Sequence, residues 1–171
     1  QYVGGLAGEV WNGRIVHCFT AGEVCGASSV GGLVGMIGPK FMFDSAARSD
    51  VYRCYSLAKV SGEEWCGGLV GGNFNGGYIS QCYSLLSASG SDNAGGLVGY
   101  TSGSIEMPVE NSYWDVTASG LESSAGGEGK TSEEMWHQTT FCGWDFEATW
   151  GIQDGEGAPY LRLFAEGRST H

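Results

Sequence analysis

Gly31-Gly32-Leu33-Val34-Gly35 recurs as Gly67-Gly68-Leu69-Val70-Gly71 and as Gly95-Gly96-Leu97-Val98-Gly99, and a near copy, Gly4-Gly5-Leu6-Ala7-Gly8, precedes all three. A second signature follows each copy: Ile15-x-x-Cys18-Phe19, Val51-x-x-Cys54-Tyr55, Ile79-x-x-Cys82-Tyr83 and Val109-x-x-Ser112-Tyr113. The Gly-Gly-Leu copies lie 27, 36 and 28 residues apart. Two ordered features recurring four times mark a repeat architecture. The long interval places an insertion at residues 36–48, and a smaller one surrounds Glu106-Met107-Pro108.

Each unit reads as short strands separated by Gly, Asn and Ser turns. One strand is expected over the Gly-Gly-Leu segment, a second over residues 15–20 and their copies, and a third at Glu23-Val24, Lys59-Val60 and Ser87-Ala88. Three short strands in about 27 residues is the arithmetic of one coil of a parallel β-solenoid, with coils about 4.8 Å apart and equivalent residues in columns. The fold class expected is therefore all-β: a parallel β-solenoid of about four coils over residues 1–117. A non-repetitive cap containing one short helix is expected over residues 118–171. Gly4, Gly5, Gly31, Gly32, Gly67, Gly68, Gly95 and Gly96 are assigned as structural, supplying positive φ at corners and allowing close backbone approach.

Composition agrees with a folded chain. The 171 residues include 31 Gly and 19 Ser, a share that without periodicity argues for disorder. Yet 42% are hydrophobic, with 6 Trp, 8 Tyr and 7 Phe to build a core. Net charge is −11, which disfavours nucleic acid and anionic membrane surfaces as partners. No run of eighteen apolar residues exists to insert into a bilayer.

Leu6, Leu33, Leu69 and Leu97 form one expected inward column, and Ile15, Val51, Ile79 and Val109 another. Strand alternation places Phe19, Tyr55, Tyr83 and Tyr113 on the face opposite the cysteines. This aromatic stack has two readings, a platform for sugar rings or a covering layer for the flank. Cys18, Cys54 and Cys82 read as free thiols in a tight interior column, with Ser112 in the fourth place. Cys25 and Cys66 lie outside that column, and a Cys25–Cys66 disulfide between adjacent coils is the bridge considered. No CxxC pair suggests zinc, so no metal and no cofactor is expected.

After Asn111-Ser112-Tyr113-Trp114-Asp115 the repetition stops. Thr131-Ser132-Glu133-Glu134 is a capping-box pattern, which predicts a short helix over 132–137. Trp114, Trp136, Trp144 and Trp150 crowd this last third, as a hydrophobic cap for the solenoid end or as a tryptophan-lined pocket.

On these motifs the chain resembles the GLUG-motif repeats of large bacterial and archaeal surface proteins. These include adhesin-like and haemagglutinin-like proteins and the non-catalytic part of immunoglobulin A-cleaving metallopeptidases. The terminal pattern of residues 111–115, Gly129-Lys-Thr-Ser-Glu-Glu-Met135, Gly143-Trp-Asp-Phe146 and Pro159-Tyr-Leu161 is similar to the ending of such arrays. The resemblance implies a structural motif with an extracellular or cell-surface setting and no catalytic residues.

The residues point the same way. His17, His137 and His171 do not form HExxH, and GxSxG and Walker A patterns are absent. Asp44, Arg48, Asp50 and Arg53 are the one charged cluster that a β-helical lyase or hydrolase would need. The expectation is a non-enzymatic module of an adhesin, stalk or filament, acting by display and by head-to-tail or edge-to-edge assembly through residues 1–25. A carbohydrate-binding module using the aromatic stack is the alternative, and a calcium-stabilised adhesin the third.

Overall fold

The computed structural model describes residues 1–39, 48–74, 77–102 and 109–165. It is mostly β-structure in parallel sheets, and each repeat contributes one strand to each of four sheets. The first repeat supplies β1 (Val3–Gly4), β2 (Ala7–Trp11), β3 (Arg14–Val16) and β4 (Phe19–Cys25). The second supplies β5 (Ser28–Gly31), β6 (Val34–Gly38), β7 (Ser49–Tyr52) and β8 (Tyr55–Ser61). The third supplies β9 (Glu64–Gly67), β10 (Val70–Phe74), β11 (Gly77–Ser80) and a divided last strand, β12 (Tyr83–Ser84) and β13 (Ala88–Ser89). The fourth supplies β14 (Asp92–Gly95), β15 (Val98–Ser102), β16 (Val109–Glu110) and β17 (Tyr113–Asp115).

The parallel register matches the sequence alignment residue for residue. Gly4 pairs Gly31, Gly31 pairs Gly67 and Gly67 pairs Gly95. Ile15, Val51, Ile79 and Val109 align, as do Phe19, Tyr55, Tyr83 and Tyr113. Parallel pairing continues beyond residue 117, because β18 (Glu128–Lys130) adds to β17.

Four strands per repeat replace the expected three. The Gly-Gly-Leu segment is not one strand but a corner: strands end at its first glycine and restart after its leucine. The leucine N–H bridges repeats there, Leu6 to the Leu33 carbonyl, Leu33 to Leu69 and Leu69 to Leu97, each at 2.9 Å.

Of the two reasons expected for the corner glycines, close backbone approach holds and positive φ does not. None of the eight assigned glycines has positive φ. Left-handed backbone is found instead at the corner residues His17, Arg53, Gln81 and Asn111, one before each Cys or Ser, and at Ser29, Trp65 and Asn93 inside β5, β9 and β14, two before the Gly-Gly of those repeats. What requires glycine is proximity. A Cβ on Gly31, Gly67 or Gly95 would drive into the carbonyl of Val34, Val70 or Val98 across the corner. On Gly32 or Gly68 it would meet the carbonyl of the glycine stacked beside it, Gly68 or Gly96.

Inside the four sheets lies a core of Leu33, Val34, Ile37, Val51, Leu69, Val70, Ile79, Leu97 and Val98, all fully buried. Its end in the fourth repeat is closed. Trp114 occupies the place held by Ser56 and Ser84 in earlier repeats, covers Gly96 and donates through Nε1 to the Leu121 carbonyl at 3.1 Å. Ser124 Oγ accepts from the N–H groups of Leu97 and Val98, and the Gly96 N–H donates to the Ser123 carbonyl. These contacts satisfy backbone groups of the last repeat. In the first repeat the equivalent leucine, Leu6, is half exposed.

The remaining segment carries two short helices rather than one: α1 (Val116–Ser119), capped by Asp115, and α2 (Ser132–Met135). The latter begins at the anticipated Thr131–Glu134 capping box but ends two residues before 137. An antiparallel pair, β19 (Trp150–Gly151) and β20 (Tyr160–Leu161), completes it.

Candidate functional site

Three of the four predicted aromatic rings are not available to a ligand. Tyr55, Tyr83 and Tyr113 are buried in a second core with Met135, Phe141, Trp144, Trp150 and Leu161 of the C-terminal segment. The rings stack on one another, Phe19 on Tyr55 and Tyr55 on Tyr83, each pair 5.0 Å apart and within 9° of parallel. Their faces are therefore spent on their own column. Trp150, fully buried, lies 6.1 Å from both Tyr55 and Tyr83, and Trp144 packs 4.3 Å from Trp150. This overturns the sugar-platform reading of the stack: the outward aromatics are an internal seam between two layers.

The segment after α2 lies along the flank and does not close the end of the stack, as a cap would. The positive-φ corner residues hold it there. Arg53 Nη1 donates to Thr149 Oγ1 at 3.0 Å, Gln81 Nε2 to the Gly143 carbonyl at 2.7 Å, and Trp144 Nε1 to the Asn111 carbonyl at 2.9 Å. The Tyr83 hydroxyl donates to the Pro159 carbonyl, and burial pushes its phenol well above the usual range. Phe164 reaches Phe19 in the first repeat, edge to face at 5.1 Å. The tryptophan pocket is likewise filled: Trp114, Trp144 and Trp150 are buried, and Trp136 is exposed alone.

The cysteine column is a hydrogen-bond ladder. The Cys18 N–H donates to Cys54 Sγ and the Cys54 N–H to Cys82 Sγ, each at 3.4 Å, and the Cys82 N–H donates to Ser112 Oγ at 3.1 Å. Each side chain donates in turn two residues upstream, to Val16, Tyr52, Ser80 and Glu110. The position needs a small group that both donates and accepts, which is why serine replaces cysteine at 112. Burial pushes the Cys82 thiol well up. Cys82→Ser should keep both bonds and cost under about 1 kcal/mol, whereas Cys82→Ala should cost about 1–3 kcal/mol by orphaning the Cys54 N–H. Urea unfolding of the two variants checks the order, and equal stabilities would refute the ladder's role.

All six cysteines are free thiols, so the Cys25–Cys66 bridge is not formed. The pair sits on opposite sides of the wall. Cys25 is exposed, its sulfur accepting from Ser61 Oγ at 3.1 Å, whereas Cys66 is buried with Val24, Val30 and Val60.

The charged cluster is only partly assembled. Asp44 lies outside the described residues. Arg53 turns towards the C-terminal segment, its guanidinium 4.6 Å from the Tyr52 ring. Asp50, nearly buried, pairs with Arg48 at 2.6 Å and with Arg14, which the sequence reading had not included, at 3.2 Å. With Tyr52 and Tyr78 these three line an open cleft of about 350 Å³. One carboxylate held by two guanidinium groups is not an acid–base pair for glycoside cleavage. Arg14 was missed because only register, Arg14 opposite Asp50 opposite Tyr78, brings three repeats together. A second aromatic group was missed for the same reason: Trp65 stacks on Tyr100 at 4.9 Å with Phe74 beside them. Among the described residues no group of His, Cys, Asp and Glu is arranged to hold a metal.

No family model matches the chain. A protein of Evansella cellulosilytica named "Putative Gly-rich membrane protein" is 34% identical over 144 residues, covering 82% of this chain and 13% of that protein. A crystal structure of "a putative immunoglobulin A1 protease" from Bacteroides ovatus superposes with a TM-score of 0.65 at 24% identity, covering 87% of this chain and 57% of the other. That likeness is one of fold alone. It is compatible with the resemblance to repeats of immunoglobulin A-cleaving proteins. The chain thus spans a small part of its relative and just over half of the solved chain. No helix among the described residues is long and apolar enough to cross a membrane.

Proposed function

We propose that the chain is a β-solenoid module of an extracellular or cell-surface protein, non-enzymatic, acting by display and by edge-to-edge assembly. The observation that carries this reading is the exposed strand edge and leucine of the first repeat, which the fourth repeat does not share. In the fourth repeat, backbone groups are met by Ser123, Ser124 and Trp114. In the first repeat, β1, β2, β3 and β4 each have one neighbouring strand among the described residues. Leu6 is 50% exposed there, whereas its three counterparts are fully buried. An open row of strand edges beside apolar side chains is a template for further pairing. Such an edge would pair with a further repeat, supplied in a longer protein by preceding residues or, for this chain by itself, by a second copy meeting first repeat to first repeat. The surface setting draws on the Gly-rich membrane protein and on the protease chain, both of which support such a module without specifying it.

Sedimentation at increasing concentration tests the assembly. The parent chain is expected to form dimers, and Leu6→Lys, which places a charge on the open edge, should leave monomers of unchanged melting temperature. A parent that stays monomeric at high concentration, or a Leu6→Lys variant that dimerises equally, would remove the assembly reading.

A further inference from the structure

We propose that the outer face of the third sheet carries a binding cleft for the carboxylate of an acidic saccharide. Two of the chain's eight Lys and Arg residues, Arg14 and Arg48, line one cleft on this face of a molecule whose net charge is −11. Such clustering against the overall charge calls for a cause. Among the described residues the acid lining the cleft is Asp50, and the nearby Glu110 is engaged by the Tyr78 hydroxyl at 2.8 Å.

Asp50 organises the cleft. It is 7% exposed, with Oδ1 2.6 Å from Arg48 Nε and Oδ2 3.2 Å from Arg14 Nε in two ion pairs. Arg48 also donates through Nη2 to Oδ2 at 3.4 Å, so the one carboxylate anchors both guanidinium groups. The Arg14 side chain is 66% exposed and that of Arg48 55%. Two oriented forks with spare donors match the planar, two-oxygen geometry of a carboxylate, which lysines would not.

The walls favour a sugar over a free anion. Arg48 lies 4.8 Å over the Tyr78 ring, and Tyr52 forms the other side beneath Arg53. Tyrosine walls, each with one ring face under a guanidinium, and fixed polar groups around about 350 Å³ open to solvent suit one or two pyranose units of a longer chain. Because Arg14, Asp50 and Tyr78 come from β3, β7 and β11 in register, the cleft runs across three repeats.

The test is calorimetric titration of the full chain with trigalacturonate, with a neutral galactose trimer and acetate as controls. Saturable binding of trigalacturonate alone is expected, weakened at least tenfold by Arg14→Ala and by Arg48→Ala, and abolished in the double variant. Arg14→Gln, at an exposed side chain, gives the same loss without a change in fold, which circular dichroism verifies. Absence of saturable binding, equal binding of the neutral trimer or of acetate, or full affinity in the double variant would each overturn the proposal.

Discussion

Gly67→Ala is expected to destabilise the chain by about 3 kcal/mol or more, at or above the upper end of ordinary overpacking. A Cβ at Gly67 would press into the Val70 carbonyl and lie 2.7 Å from the Gly99 nitrogen. These are backbone atoms of the corner and of the next repeat, so no side chain can rotate aside. Relief requires the repeats to separate, which breaks the ladder on which each sheet depends. Such a loss is a large fraction of the roughly 5–15 kcal/mol that holds a domain together. Gly157→Ala is the control, since a Cβ there has nothing within 4 Å and the residue has no positive φ. It should stay within about 0.5 kcal/mol of the parent. Urea denaturation measures both, and a Gly67→Ala variant as stable as Gly157→Ala would show that the corner yields.

Trp150→Ala should cost about 3–5 kcal/mol, the range for deleting a buried aromatic side chain. Trp150 is fully buried where Tyr55 and Tyr83 meet Trp144, so its removal opens a cavity along the seam between the repeats and the flanking segment. Proteolysis of this variant should cut within residues 131–165 while the repeats remain protected. Trp150→Phe should lose much less, because it keeps a ring and removes an indole N–H that has no hydrogen-bond partner in its buried place. A Trp150→Ala loss below about 1 kcal/mol, or unaltered proteolysis, would show that the seam is held from elsewhere.

Much of the repeat architecture was legible in the chain. Repetition converts a single register into a whole sheet, so aligning Cys18 with Cys54 and Cys82 already implied which residues would stack. The Thr131–Glu134 capping box was equally readable, because that bond is local. Less legible was the division of Gly-Gly-Leu into a corner, since glycine suits both a strand under close approach and a bend. The positive-φ corners were hidden altogether. His17, Arg53, Gln81 and Asn111 share no residue type, and their common feature is position before the column that bonds across repeats.

The site was harder still. Phe19, Tyr55, Tyr83 and Tyr113 were correctly assigned to the face opposite the cysteines, but alternation does not say what lies against that face. That was decided by a non-repeating segment running back along all four repeats to bring Phe164 to Phe19. Arg14 joined Asp50 through register and orientation across 36 residues of chain.

By itself, then, the sequence determined the period, the register and the glycine positions, because stacking repeats its contacts and so writes them periodically along the chain. Tertiary structure alone decided which outward face is covered and what covers it. Those depend on a segment that occurs once, and a contact made once leaves no period to read.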